Sequence, residues 1–250
     1  MSTSPRVDPR VASASDASWR GWAEQVEARP KQVAGFGAAL VLGFVSGVAA
    51  LAAFAWLAEE MLGRQTQRLD DATLAFLRQS SSPTLDRLAL GVSMLGSEFV
   101  IVLGVVLLAV FAWQRRWGAG CGLLLVTGGA QLLNDILKEL FHRTRPAPVL
   151  AGFIQIQAQQ FSFPSGHAMV SAAFYFFLAY LAWRLVARPV WRAALVSGLV
   201  LLVLLIGLAR LYLAAHFLSD VVAGYFAGFL WTDAVILGGS YLTLRRRRVS

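Results

Sequence analysis

The chain has 250 residues, of which 57% are hydrophobic and only 14% charged, with a formal net charge of +8. Soluble domains carry roughly a quarter charged residues, so this composition excludes an ordinary soluble domain and places the chain in the membrane class. The basic balance fits anionic lipid or an anionic substrate; nucleic acid is set aside as a partner because no basic stretch alternates with aromatics on a polar surface.

Taken in order, residues 1–31 are rich in Ser, Ala, Arg and Pro and read as a disordered cytoplasmic tail. Six apolar stretches follow, each near the roughly 20 residues that cross a bilayer. They run from Val33 to Leu57, Leu88 to Trp113, Ala119 to Phe141, Pro164 to Ala187, Trp191 to Ala214 and Phe217 to Leu242. The expected fold is all-α: a polytopic membrane protein with six transmembrane helices in one bundle over residues 32–243, and a basic tail at 244–250. The third and fourth stretches carry polar residues and are expected to score lower in hydropathy. Between the first two stretches, residues 59–87 are polar with Leu69, Leu74, Phe76 and Leu77 at helical spacing. That pattern predicts an amphipathic helix on the outer surface, followed by a loop around Ser80 to Pro83. Cys121 stands between Gly120 and Gly122 and reads as a small packing residue.

Lys and Arg set the orientation of such a bundle. Placing the N-terminus inside puts 14 of the 22 basic residues on the cytoplasmic side, including the run Arg245 to Arg248, and eight on the outer side. Both termini are therefore expected in the cytoplasm, with the protein a multi-pass component of the cell membrane.

The same topology gathers Lys138, Arg145, His167, Arg210, His216 and Asp220 at the outer ends of helices or in the loops that join them. Ionisable groups at membrane depth are costly, so a cluster calls for a ligand. Lys138, Arg145 and Arg210, read as three clustered cations without matching acids in the cluster, imply a bound anion, which Arg can grip through two parallel N–H bonds. In Phe161-Ser-Phe-Pro-Ser-Gly-His167, Pro164 suits the first turn of a helix. Ser165, Gly166 and His167 would then present free backbone N–H groups to an anion, with Ser165 adding a hydroxyl and Gly166 permitting close approach. His216 and Asp220 are spaced i,i+4 and fit one helical face. A carboxylate there can fix the imidazole tautomer and leave the other ring nitrogen free to attack phosphorus.

Three blocks, Lys138-x6-Arg145-Pro146, Pro164-Ser165-Gly166-His167 and Arg210-x5-His216-x3-Asp220, together resemble the type 2 phosphatidic acid phosphatases, a superfamily related to the vanadium haloperoxidases. The likeness covers about residues 55–240. It implies that His216 attacks phosphorus and forms a phosphohistidine, that His167 protonates the leaving oxygen and then helps activate water, and that Asp220 orients and balances His216. It implies phosphate-binding roles for Lys138, Arg145, Ser165, Gly166 and Arg210, and no metal or other cofactor. The third block usually begins Ser-Arg, whereas here it reads Ala209-Arg210, so a supporting hydroxyl is missing from the pocket edge.

The expected activity is removal of phosphate from a lipid phosphate in the bilayer. Undecaprenyl pyrophosphate, phosphatidylglycerol phosphate and phosphatidic acid are candidate substrates. A phosphotransferase using the same histidine is the main alternative. A non-enzymatic transporter of anionic lipid is disfavoured because the charges sit at one face rather than along a path. A zinc site built on His142, His167 and His216 is disfavoured because the neighbouring cations would repel a metal.

Overall fold

The computed structural model describes residues 40–146 and 161–249, with side chains to residue 242. The expected tail at 1–31 lies outside the described residues. The chain divides into two compact units, Met1–Val45 and Ser46–Ser250. Of the first, only the opening turn of a helix is described; all that follows concerns the second.

Every described element is helical: α1 (Leu40–Leu62), α2 (Gln67–Arg78), α3 (Pro83–Met94), α4 (Glu98–Trp113), α5 (Trp117–Phe141), α6 (Gly166–Leu185), α7 (Pro189–Tyr212) and α8 (Leu218–Val249). Six spans among the described residues are long and apolar enough to cross a membrane, with α3 and α4 counted together as Pro83–Trp113. The all-α, six-span expectation therefore stands. As expected, α5 and α6 are the least apolar of the six. At the C-terminus the backbone stays helical to Val249, so the expected basic tail continues α8.

The element bounds differ from the sequence expectation where local chemistry dictates. The second span starts earlier, at Pro83, because the Ser82 side chain accepts the Leu85 N–H and Pro83 occupies the first helical turn. It breaks at Leu95–Ser97. A Cβ at Gly96 would fall 2.6 Å from Ile206 Cγ2, so the break rests directly on α7. Pro164 is not in the first turn of α6. It precedes the helix on a cis Phe163–Pro164 peptide, and Ser165 is the N-cap.

Large apolar side chains such as Leu51, Val105, Leu132 and Leu201 point outward, as a bilayer solvent requires. The buried centre is α6, whose Met169, Phe174 and Tyr175 are enclosed by α5, α7 and α8. The α6–α8 contact is close because small residues face each other. A Cβ at Gly224 would sit 2.9 Å from Ala168 Cβ, and one at Gly228 would sit 2.9 Å from Ala172 Cβ. Such small-xxx-small faces let backbones approach where lipid supplies no hydrophobic drive. Cys121 is exposed and does not pack, contrary to the sequence expectation. Its neighbour Gly122 does: a Cβ there would lie 2.8 Å from the Phe177 ring.

The amphipathic helix forms as α2, but its apolar residues split between two faces. Leu74 is buried against Ala214 and Phe217, whereas Leu69 and Phe76 are 61% and 70% exposed. Asp70 lies on the buried side with Leu74.

Candidate active site

One end of the bundle brings together the C-terminus of α5, the start of α6, the end of α7 and the start of α8. The tight packing of α6 on α8 sets the two histidine-bearing segments side by side. The Ser165 N–H donates to the Asp220 carbonyl at 3.0 Å, which locks the α6 N-cap to the first turn of α8. Ser165 therefore does not present a free backbone amide, as the sequence suggested. Its hydroxyl is buried and makes no hydrogen bond. Gly166 and His167 open the helix, where N–H groups lack intrahelical acceptors.

His216 lies in the turn between α7 and α8 rather than on α8 itself, and it is fully buried. Its Nδ1 stands 3.0 Å from the Ser162 carbonyl. A carbonyl can only accept, so Nδ1 carries the proton and Nε2 keeps its lone pair. Nε2 faces the Arg145 guanidinium at 3.4 Å. Asp220 is farther, with Oδ2 3.6 Å from Nδ1. The i,i+4 pairing thus gives nearby negative charge, while the tautomer is set by the Ser162 carbonyl, which spacing alone did not identify. Asp220 Oδ2 accepts the Phe217 N–H at 2.9 Å, pinning the turn that carries His216.

Burial holds the His216 imidazole well below its ordinary pKa, and the positive charges of Arg145, Arg210 and Lys138 push the same way; the Ser162 carbonyl opposes them. Arg145 is anchored by donation to the Ala215 carbonyl at 3.1 Å. Burial lowers its own pKa as well, opposed by Asp220. Arg210 is buried and donates to Ser93 Oγ at 2.8 Å.

Sequence reasoning missed a third arginine. Arg143 donates to Asp220 Oδ1 at 2.6 Å, to Ser219 Oγ at 2.7 Å and to Asp70 Oδ2 at 2.7 Å. Its guanidinium also stacks on the Phe217 ring, 4.4 Å from the centroid. Asp70 in turn accepts the Ser219 N–H at 2.9 Å and the Ser219 hydroxyl at 2.6 Å. Two buried carboxylates thus share one cation behind His216. The available signal was an acid on the predicted amphipathic helix and an extra arginine two residues before Arg145.

A cavity of about 420 Å³ opens in front of this assembly. His216, His167, Lys138, Arg145 and Gly166 line its upper end. Five of the eight expected residues therefore line the cavity, while Ser165, Arg210 and Asp220 sit behind its wall. Lys138 Nζ lies 3.7 Å from where a Gly166 Cβ would be, so glycine keeps that approach open. The third histidine, His142, is apart from the cavity and pairs with Glu139. No three His, Cys, Asp or Glu side chains among the described residues are grouped as a metal site.

A buried, neutral imidazole with a lone pair aimed at fixed cations, opposite a second histidine, is an arrangement for phosphoryl chemistry. The chain belongs to the PAP2 superfamily, whose profile matches residues 119–243. It is a membrane phosphate-ester hydrolase of that class, a lipid phosphatase with several membrane-crossing helices. Among its relatives is phosphatidylglycerophosphatase B of Bacillus subtilis (strain 168), 32% identical over 183 residues, covering 71% of this chain and 86% of that protein. The crystal structure of a transmembrane PAP2-type phosphatidylglycerolphosphate phosphatase from Bacillus subtilis matches with a TM-score of 0.69 at 31% identity, covering 76% of this chain and 94% of that one. Aquifex aeolicus LpxE shares the fold at a TM-score of 0.53 and 24% identity, over 67% of this chain and 94% of that one.

Proposed function

We propose that this phosphatase cleaves a phosphomonoester or pyrophosphate of a lipid at the outer face of the cell membrane through a phosphohistidine on His216. Phosphatidylglycerol phosphate is the first candidate, because two of the similar proteins named above carry that lipid in their names. Phosphatidic acid and undecaprenyl pyrophosphate are the others.

The supporting observation is the His216 geometry: Nδ1 held by the Ser162 carbonyl, Nε2 facing Arg145. Nε2 attacks phosphorus, the bond from phosphorus to the lipid oxygen breaks, and His167, which takes up a proton when the anionic phosphate binds beside it, gives that proton to the oxygen. Lys138 and Arg145, with the N–H groups at Gly166 and His167, stabilise charge on the equatorial oxygens, and Arg210 adds positive charge from behind the wall. The phosphorylated imidazole is cationic, and Asp220 at 3.6 Å offsets that charge. Water then attacks the phosphohistidine, His167 takes its proton, the P–N bond breaks, and inorganic phosphate leaves.

The test is purified protein in detergent with phosphatidylglycerol phosphate, comparing wild type with His216→Ala. Wild type should release free phosphate and form a base-stable, acid-labile phosphoenzyme, and the variant should do neither. Equal phosphate release by both would sink the mechanism. Label passed to a second lipid instead of water would identify a phosphotransferase.

A further inference from the structure

Below the phosphate end, the cavity continues down one face of α5, past Asn134 and Gln131 to Thr127. Opposite stand the break at Gly96 and Ser97 and the first turn of α4. Residues 127, 131, 134 and 138 recur at helical spacing, so they form a single strip leading from Lys138 into the bundle. At 1.5 Å rise per residue, Asn134 is about 6 Å and Thr127 about 16 Å along the helix axis from Lys138.

Two polar atoms on this strip have no partner. Asn134 is completely buried. Its Nδ2 donates to the Pro164 carbonyl at 3.2 Å and lies 3.7 Å from Met169 Sδ. That commitment fixes the amide orientation and leaves Oδ1 as the atom without a hydrogen bond. The Thr127 hydroxyl is likewise buried and unbonded. Other buried hydroxyls bond to backbone carbonyls: Ser171 to Ala168 of its own helix, and Thr232 to Gly228 of its own helix and Ala173 of α6. Buried polar atoms are nearly always satisfied, so two exceptions on one cavity wall point to a ligand that completes them.

The chemistry of that ligand follows from the atoms. An amide oxygen only accepts, so it needs a donor. An ionised phosphate has no proton to offer, and a polyprenyl chain has only C–H groups. A free hydroxyl on the alcohol that carries the phosphate supplies the donor. Thr127, deeper along the strip, can donate to an ester or phosphodiester oxygen. We infer that Asn134 and Thr127 form a subsite for the leaving alcohol, specific for a lipid phosphate whose phosphate is borne on a hydroxylated glycerol head. This deepens the phosphatase reading above and rests on it.

The test compares kcat/KM for two phosphomonoesters that differ in the leaving alcohol, dioctanoyl phosphatidylglycerol phosphate and farnesyl monophosphate, in mixed micelles with the full chain. Wild type should favour the glycerol lipid. Thr127→Val and Asn134→Leu should each lower the ratio of the two kcat/KM values by about 10- to 100-fold, because each leaves a substrate polar group unpaired. The ratio cancels a general loss of folded protein. Thr127→Val removes no hydrogen bond of the fold, so it decides the matter should Asn134→Leu lose both activities. An unchanged ratio overturns the subsite, as does a wild type that cleaves the farnesyl compound equally well. Wild type that releases phosphate from neither lipid would instead overturn the phosphatase reading itself.

Discussion

As the proposed nucleophile, His216 faces two demands that conflict in water: it must be unprotonated, and it must sit among cations that would hold the substrate. Burial and the charges of Arg145, Arg210 and Lys138 resolve the conflict by keeping the imidazole pKa well below 6.5. The sign of the pH effect follows. Between pH 6.5 and the lower folded value, the unfolded chain binds a proton at this histidine and the folded chain does not. Stability from this group is therefore present above about 6.5 and declines as the pH falls through that window. The free enzyme also keeps this proposed nucleophile neutral across the same window. We expect kcat/KM, after correction for the separately measured ionisation of the substrate phosphate, to hold its value below pH 6.5 before an acid limb appears. A limb centred at or above 6.5 would contradict the assignment of His216 as the buried, cation-flanked nucleophile.

At the scale of elements, the group that secures this histidine comes from a helix outside the membrane-crossing set. Asp70 on α2 and Asp220 on α8 both bind Arg143, so α2 is tied to the catalytic turn by buried charge as well as by Leu74. Breaking a buried ion network by removing one member leaves uncompensated charge and costs about 3–5 kcal/mol. Arg143→Leu should therefore destabilise strongly, since it strands two carboxylates. Asp70→Asn should cost much less in the Arg143→Leu background than in wild type, because the two changes share one interaction. Denaturant titration of the four proteins in mixed micelles measures the coupling, and additive effects would show that α2 docks by apolar contact alone. This network also marks where sequence reading stops. Motif spacing and hydropathy made the six spans, the amphipathic helix and the residues at Lys138, Arg145, His167, Arg210 and His216 legible. Hydropathy has no means of showing that Asp70 meets Arg143, because the partners are 73 residues apart and joined only by packing. The Ser162 carbonyl at Nδ1 was hidden for the same reason: a backbone group leaves no signature in side-chain pattern.

For the whole molecule, the remaining question is which compartment the phosphate site faces. The loop at residues 79–82 lies at the site end, since the Ser82 N–H donates to the Tyr212 hydroxyl at the end of α7. The turn at residues 186–188, joining α6 to α7, lies at the opposite end. Positive residues favour the cytoplasm when they flank spans in short loops. Arg115, Arg116, Arg184, Arg188 and Arg192 all cluster at the end opposite the site. Three of the eight basic residues at the site end are of a different kind: Arg143, Arg145 and Arg210 are engaged with buried acids, carbonyls or hydroxyls and so are accounted for by the site rather than by topology. Discounting them sharpens the bias that supports the proposed outward-facing site. With the exposed Cys121 replaced by Ser, a single cysteine at exposed Ser81 should react with a membrane-impermeant maleimide on intact cells. One at exposed Ala187 should react only after the membrane is opened. The reverse pattern would turn the catalytic end to the cytoplasm, and the substrate would then have to be drawn from the inner leaflet.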